Sequence, residues 1–105
     1  MQEKLNSRVF SELLHTTFQV RIAGEAPLLL ELFEVTEKDQ SARVEQFFLV
    51  FRGPLTPHFP QGIYTLEHEK LGTFDLFIVP LGPDSAGMTY QVVFNRLRQL
   101  PHPSA

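Results

Sequence analysis

The sequence predicts a mainly β domain: about six antiparallel strands in a curled sheet or partly closed barrel, with one short N-terminal helix. Three observations predict it. Phe18, Val20 and Ile22 alternate with Gln19 and Arg21, the period-two pattern of a half-buried strand. Segments of this kind recur between clusters of turn formers, with no helical pattern between them, which argues against a parallel sheet. Finally, Phe47-Phe48-Leu49-Val50-Phe51 and Phe74-Asp75-Leu76-Phe77-Ile78-Val79 are apolar in both phases, as in strands covered on both faces.

Asn6 and Ser7 cap a short helix starting near Arg8, with Leu5, Val9, Phe10, Leu13 and Leu14 as its apolar stripe. From Thr17 the period changes to two, and Gly24-Glu25-Ala26-Pro27 is a turn. Leu28 to Thr36 forms strand two, where a bulge near Leu32-Phe33 reconciles two apolar phases. Glu37 to Ala42 is a polar loop and Val44 to Arg52 is strand three. The connection Gly53 to Pro60 carries Pro54, Pro57 and Pro60. Strands four (Ile63 to Glu67) and five (Thr73 to Val79) form a hairpin around Gly72. Gly82 to Gly87 is a loop, and strand six runs from Met88 to Asn95 with Tyr90, Val92 and Phe94 in phase. The whole chain, 1–105, is one domain, with flexible ends at 1–5 and 97–105.

Composition narrows the function. The net charge is −3 and the nine Lys and Arg residues are scattered, so the basic field that nucleic acid requires is missing. The absence of cysteine excludes disulfides, thiol catalysis and thiolate metal sites. No window reaches the roughly 18 apolar residues of a membrane span, and the N-terminus lacks the apolar core of a signal peptide. The expectation is a cytoplasmic protein without cofactor or metal.

Chemistry-bearing motifs are fragmentary. His68-Glu69 begins the zincin pattern H-E-x-x-H, but Gly72 stands where the second histidine belongs. His68 reads as a strand-end histidine that hydrogen bonds to backbone. A hydrolase-like alternative pairs His68 with Glu67 or Asp75. No serine lies in a Gly-x-Ser-x-Gly elbow. The spacing of Pro54, Pro57 and Pro60 matches a polyproline ligand but reads as loop stiffening.

A helix of about 10 Å covers roughly two strands, and barrel closure hides one face only. The surplus apolar residues of strands three and five are therefore expected to meet another copy or another protein. Phe47, Phe51, Phe77 and Val79 are the candidate contacts, with the outward phase open in both strands. The alternative is a small apolar-ligand-binding barrel whose Phe- and Leu-lined cavity is reached past Tyr64 or His68.

One string is more specific: Phe51-Arg52-Gly53-Pro54, then Gln61-Gly62-Ile63-Tyr64-Thr65-Leu66-Glu67-His68, then Leu71-Gly72-Thr73-Phe74-Asp75-Leu76-Phe77-Ile78-Val79-Pro80, closed by Tyr90 and Val93-Phe94-Asn95. It resembles a family of small uncharacterised bacterial domains whose members look like accessory proteins of phage-tail-like or tail-collar assemblies. The resemblance implies a partner rather than a mechanism. Tyr64, His68 and Asn95 are expected to share a polar contact near one end of the sheet.

Overall fold

A computed structural model describes residues 5–40 and 44–97. A helix, α1 (Ser7–Ser11), precedes six strands: β1 (Thr17–Arg21), β2 (Leu28–Gln40), β3 (Val44–Gly53), β4 (Gly62–His68), β5 (Gly72–Asp84) and β6 (Gly87–Leu97). Every pairing is antiparallel, and the sheet closes in the order β1-β2-β3-β6-β5-β4. Closure is complete because Val20 of β1 stands opposite Leu66 of β4. In this ring β3 and β4 lie on opposite sides, so the proline-bearing segment between them must cross the mouth of the barrel.

Two strands outrun their sequence patterns. β2 continues through Glu37, Lys38, Asp39 and Gln40, which were expected to be loop. Its ladder with β3, including Glu37 opposite Phe47, supplies the hydrogen bonds that hold these polar residues extended. β5 likewise runs to Asp84, opposite Gly87. Asp84 Oδ1 accepts the N–H groups of Ala86 (2.8 Å) and Gly87 (3.0 Å), which closes the hairpin tightly. The expected bulge is present as a register shift between Leu32 and Glu34.

Alternation builds the core. Phe18, Val20, Leu30, Leu32, Phe47, Leu49, Phe51, Leu66, Ile78 and Val92 point inward and are buried. The expected helix is present, with Asn6 Oδ1 accepting the Val9 N–H at 2.9 Å. It does not lie over the outside of the sheet. Phe10 is fully buried and meets Phe18, Phe47, Phe74 and Phe94 at centroid distances of 5.7–6.5 Å. The helix therefore plugs one mouth of the barrel and leaves the outer face uncovered. Leu5, expected in a flexible end, is buried in the same core; Met1 to Lys4 and Arg98 to Ala105 lie outside the described residues.

The other mouth holds Phe59, 3% exposed, from the crossing segment. Its ring stacks on Tyr90 (4.3 Å, 7°) and leans on Tyr64 (4.5 Å). The Tyr64 hydroxyl donates to the Pro60 carbonyl at 2.6 Å, tying the segment to β4.

Candidate functional site

The register with β6 settles the phase of β3. Phe47, Leu49 and Phe51 stand opposite Phe94, Val92 and Tyr90, on the inner face. Phe47 and Phe51, expected as surface contacts, are fully buried, so that assignment is corrected. In the outward phase of β3 stand Phe48, partly buried, and Val50, itself buried, opposite Val93 and Gln91. On β5 the expected outward residues are Phe77, half exposed, and Val79, partly buried opposite Gln91. Ile63 of β4, opposite Phe77, is 72% exposed, and Val93 and Leu81 are also exposed. Leu81 sits at the register shift between Pro80 and Gly82, which turns it outward.

Together Val93, Val79, Phe77, Leu81 and Ile63 form an apolar surface across the outer side of β6, β5 and β4, with the partly buried Phe48 of β3 at its edge. Charges stand at its margins: Glu34 opposite Val50 on the β2 side, Asp75 two residues from Phe77 on the other, and Arg52 beyond Val50. These are held locally. Glu34 accepts the Thr36 hydroxyl (2.8 Å) and Asp75 the Thr65 hydroxyl (2.7 Å). Arg52 pairs with Asp84 at 2.8 Å and lies 4.0 Å from the centre of the Phe33 ring. The Arg52 hydrogen bond to Asp84 is the main reason that carboxyl ionises below its usual range. Ile63, Val93 and Leu81 were missed in the sequence because each sits in an ordinary alternating or turn-rich segment; only strand order brings them beside β3.

Tyr64, His68 and Asn95, expected to share a contact, are apart. Tyr64 and His68 sit at opposite ends of β4, roughly 13 Å of strand from one another, and Asn95 is exposed opposite Gln46 of β3. His68 faces inward, 4% exposed, with its ring 4.4 Å from that of Phe18. Its hydrogen bonds define its protonation. The Thr16 hydroxyl donates to the Leu13 carbonyl (2.7 Å), so it accepts from His68 Nε2–H (2.9 Å). His68 Nδ1 accepts the Lys70 backbone N–H (3.0 Å), as expected for a turn histidine. This is a neutral, fully bonded imidazole, and burial pushes its pKa down, partly offset by Glu69.

A surface cleft of about 460 Å³ adjoins it, lined by Thr16, Thr17, Gln19, Glu67, His68 and Glu69. Glu67 is bonded across the sheet to Arg21 (3.2 Å), and Asp75 points outward to Thr65. The His68–Glu67 and His68–Asp75 pairs expected for a hydrolase-like site are therefore not hydrogen bonded. Among the described residues no group of three or more His, Asp or Glu side chains is placed to hold a metal ion, and no helix is long and apolar enough to cross a membrane.

A family model described as a domain of unknown function, DUF6916, matches residues 5–94, from the helix plug to the inward Phe94 of β6. The chain belongs to the DUF6916 family. No curated protein and no solved structure matches it. The matched span of the DUF6916 domain takes in both plugs and the outward apolar surface.

Proposed function

We propose that this DUF6916 domain is a non-enzymatic protein-interaction module that docks through the outer face of β6, β5 and β4. One observation carries the reading: half or more of each of Ile63, Phe77, Leu81 and Val93 remains open to water on one side of the barrel. Clustered exposure of this kind marks contact surfaces, whereas single exposed apolar residues are ordinary. The resemblance of the Phe51 to Pro80 string to tail-associated accessory proteins supports a place in a phage-tail-like assembly.

The interior favours docking over the alternatives. Phe10 and Phe59 occupy the two mouths through which a small apolar ligand would enter. His68 has both ring nitrogens engaged in holding its own turn and the helix junction, which favours a structural role over proton transfer.

The test is a photo-cross-linking amino acid placed at Val93 or, across the ring, at Gln19. After irradiation of producing cells, position 93 is expected to yield protein adducts and position 19 none. Equal adducts from both positions, or none from 93, would show the reading to be wrong.

A further inference from the structure

We infer that α1 is a pH-gated plug: at mildly acidic pH, His68 takes up a proton, its imidazole withdraws into the adjoining cleft, and the helix end from Phe10 to His15 lifts from the barrel mouth. This goes beyond the docking reading and does not depend on it.

One hydroxyl joins His68 to the root of the plug. Thr16 holds the Leu13 carbonyl twice, with its backbone N–H (3.1 Å) and its hydroxyl (2.7 Å). The same hydroxyl accepts His68 Nε2–H at 2.9 Å, which keeps its own proton aimed at Leu13. Rings continue the contact: His68 packs on Phe18 at 4.4 Å, and Phe18 stacks at 6.3 Å on Phe10, which seals the mouth. Between the plug and β1 stands His15, at φ 68°. A residue other than glycine is strained in this left-handed region and stays there only while its surroundings hold it. The His15 N–H donates to the Leu32 carbonyl at 2.6 Å, so the junction is fixed to β2 and the helix end is the part that moves.

Proton uptake undoes this latch. His68 Nδ1 accepts the Lys70 N–H at 3.0 Å, and a proton taken there from solvent sets two N–H groups against each other. The way out is short. The cleft of about 460 Å³ beside His68 is lined by Glu67 and Glu69, with Thr16, Thr17 and Gln19 uncharged. The carboxylates receive the imidazolium, and Thr16 loses its donor. Of the other charges, Lys70 works against a charged ring in the closed state. Arg21 is bonded to Glu67 (3.2 Å), and His15 to Glu31 (3.1 Å) on the β2 side. β5 presents Gly72 opposite His68. At the start of α1, Ser7 donates to Glu37 at 2.8 Å, which anchors that end while the other opens.

Amide hydrogen exchange of the full chain, followed by NMR, tests this. The Phe10, Glu12 and Leu13 amides are bonded within the helical segment. They are expected to exchange through a local opening, faster than the amides of β3. From about pH 7.5 to about pH 5 their protection factors are expected to fall by up to about thirtyfold, the linkage for an imidazole that titrates near 6.5 when released and stays neutral when latched. In His68→Gln the fall is expected to stay within about threefold, because an amide side chain donates and accepts without titrating. Should His68→Gln fail to fold, Thr16→Val takes its place, since loss of the hydroxyl uncouples the helix end from the imidazole and flattens the response likewise. Helix amides that are as protected as those of β3 at every pH open only with the barrel, and overturn the inference. So does a parent response that is flat, or a folded variant that loses protection as steeply as the parent.

Discussion

Phe59 and Tyr90 lie face to face, 4.3 Å apart and 7° from parallel, one from the segment that crosses the mouth and the other from the middle of the inner wall. The Tyr90 hydroxyl is buried. It has no well-formed hydrogen bond, although the Phe59 backbone is near, and burial holds its pKa above the usual tyrosine range. An unpaired buried hydroxyl costs about 1–3 kcal/mol, so Tyr90→Phe is expected to leave the fold unchanged and raise stability by about 1 kcal/mol. Phe59→Ala opens the mouth and is expected to cost about 3–5 kcal/mol. Urea titrations of the two variants check the opposite signs.

The bonds of His68 make stability depend on pH. Its unfolded pKa is near 6.5, and burial lowers the folded value. Protonation would give Nδ1 a hydrogen pointing at the Lys70 N–H, breaking the turn. Between the folded and unfolded pKa the unfolded chain binds more protons, so stability rises with pH there. The contribution is complete above about pH 6.5 and is lost as pH falls toward the folded pKa. Nearby charges pull both ways: Glu69 raises the pKa and Lys70 lowers it, and burial outweighs them. His68→Gln is expected to flatten the melting temperature between about pH 5 and 7. An unchanged slope in that variant would assign the pH dependence elsewhere.

Much of the fold could be read from residue patterns, and its limits have physical causes. The alternation of Phe18 and Val20 located β1, the Asn6 cap located α1, and the conflict of phases in β2 located its bulge. β3 is the counterexample. Phe47 to Phe51 is apolar in both phases, and the inner phase is chosen only by its pairing with β6, which lies far along the chain. The Phe59 plug was equally hidden, because it exists only when β3 and β4 stand across the ring. The surface suffered most: Ile63 and Val93 gain meaning from strand order, a non-local property, and Phe47 and Phe51 were misplaced for the same reason.

Two turn glycines separate backbone strain from crowding. Gly72 (φ 81°) and Gly87 (φ 150°) both adopt conformations unfavourable for side chains. A methyl group on Gly72 meets nothing within 4 Å, whereas one on Gly87 would overlap the Gly53 carbonyl oxygen. Gly72→Ala is therefore expected to cost about 1–2 kcal/mol, the left-handed penalty alone. Gly87→Ala is expected to cost more, because the end of the β3–β6 ladder must also move. Equal losses in thermal melts would mean that the Gly53–Gly87 approach relaxes freely.

The helix plug makes a complementary prediction about where stability resides. A five-residue helix cannot persist on its own, so α1 is held by what Phe10 buries. Phe10 touches β1, β3, β5 and β6 together, and Phe10→Ala is expected to cost about 3–5 kcal/mol. Asn6→Ala removes only the cap to Val9, with an expected cost of about 1 kcal/mol. If α1 is a plug shared by the whole barrel, Phe10→Ala should speed amide hydrogen exchange in β1 and β5 as well as in the helix. Exchange that quickens in the helix alone would show that the barrel closes without it.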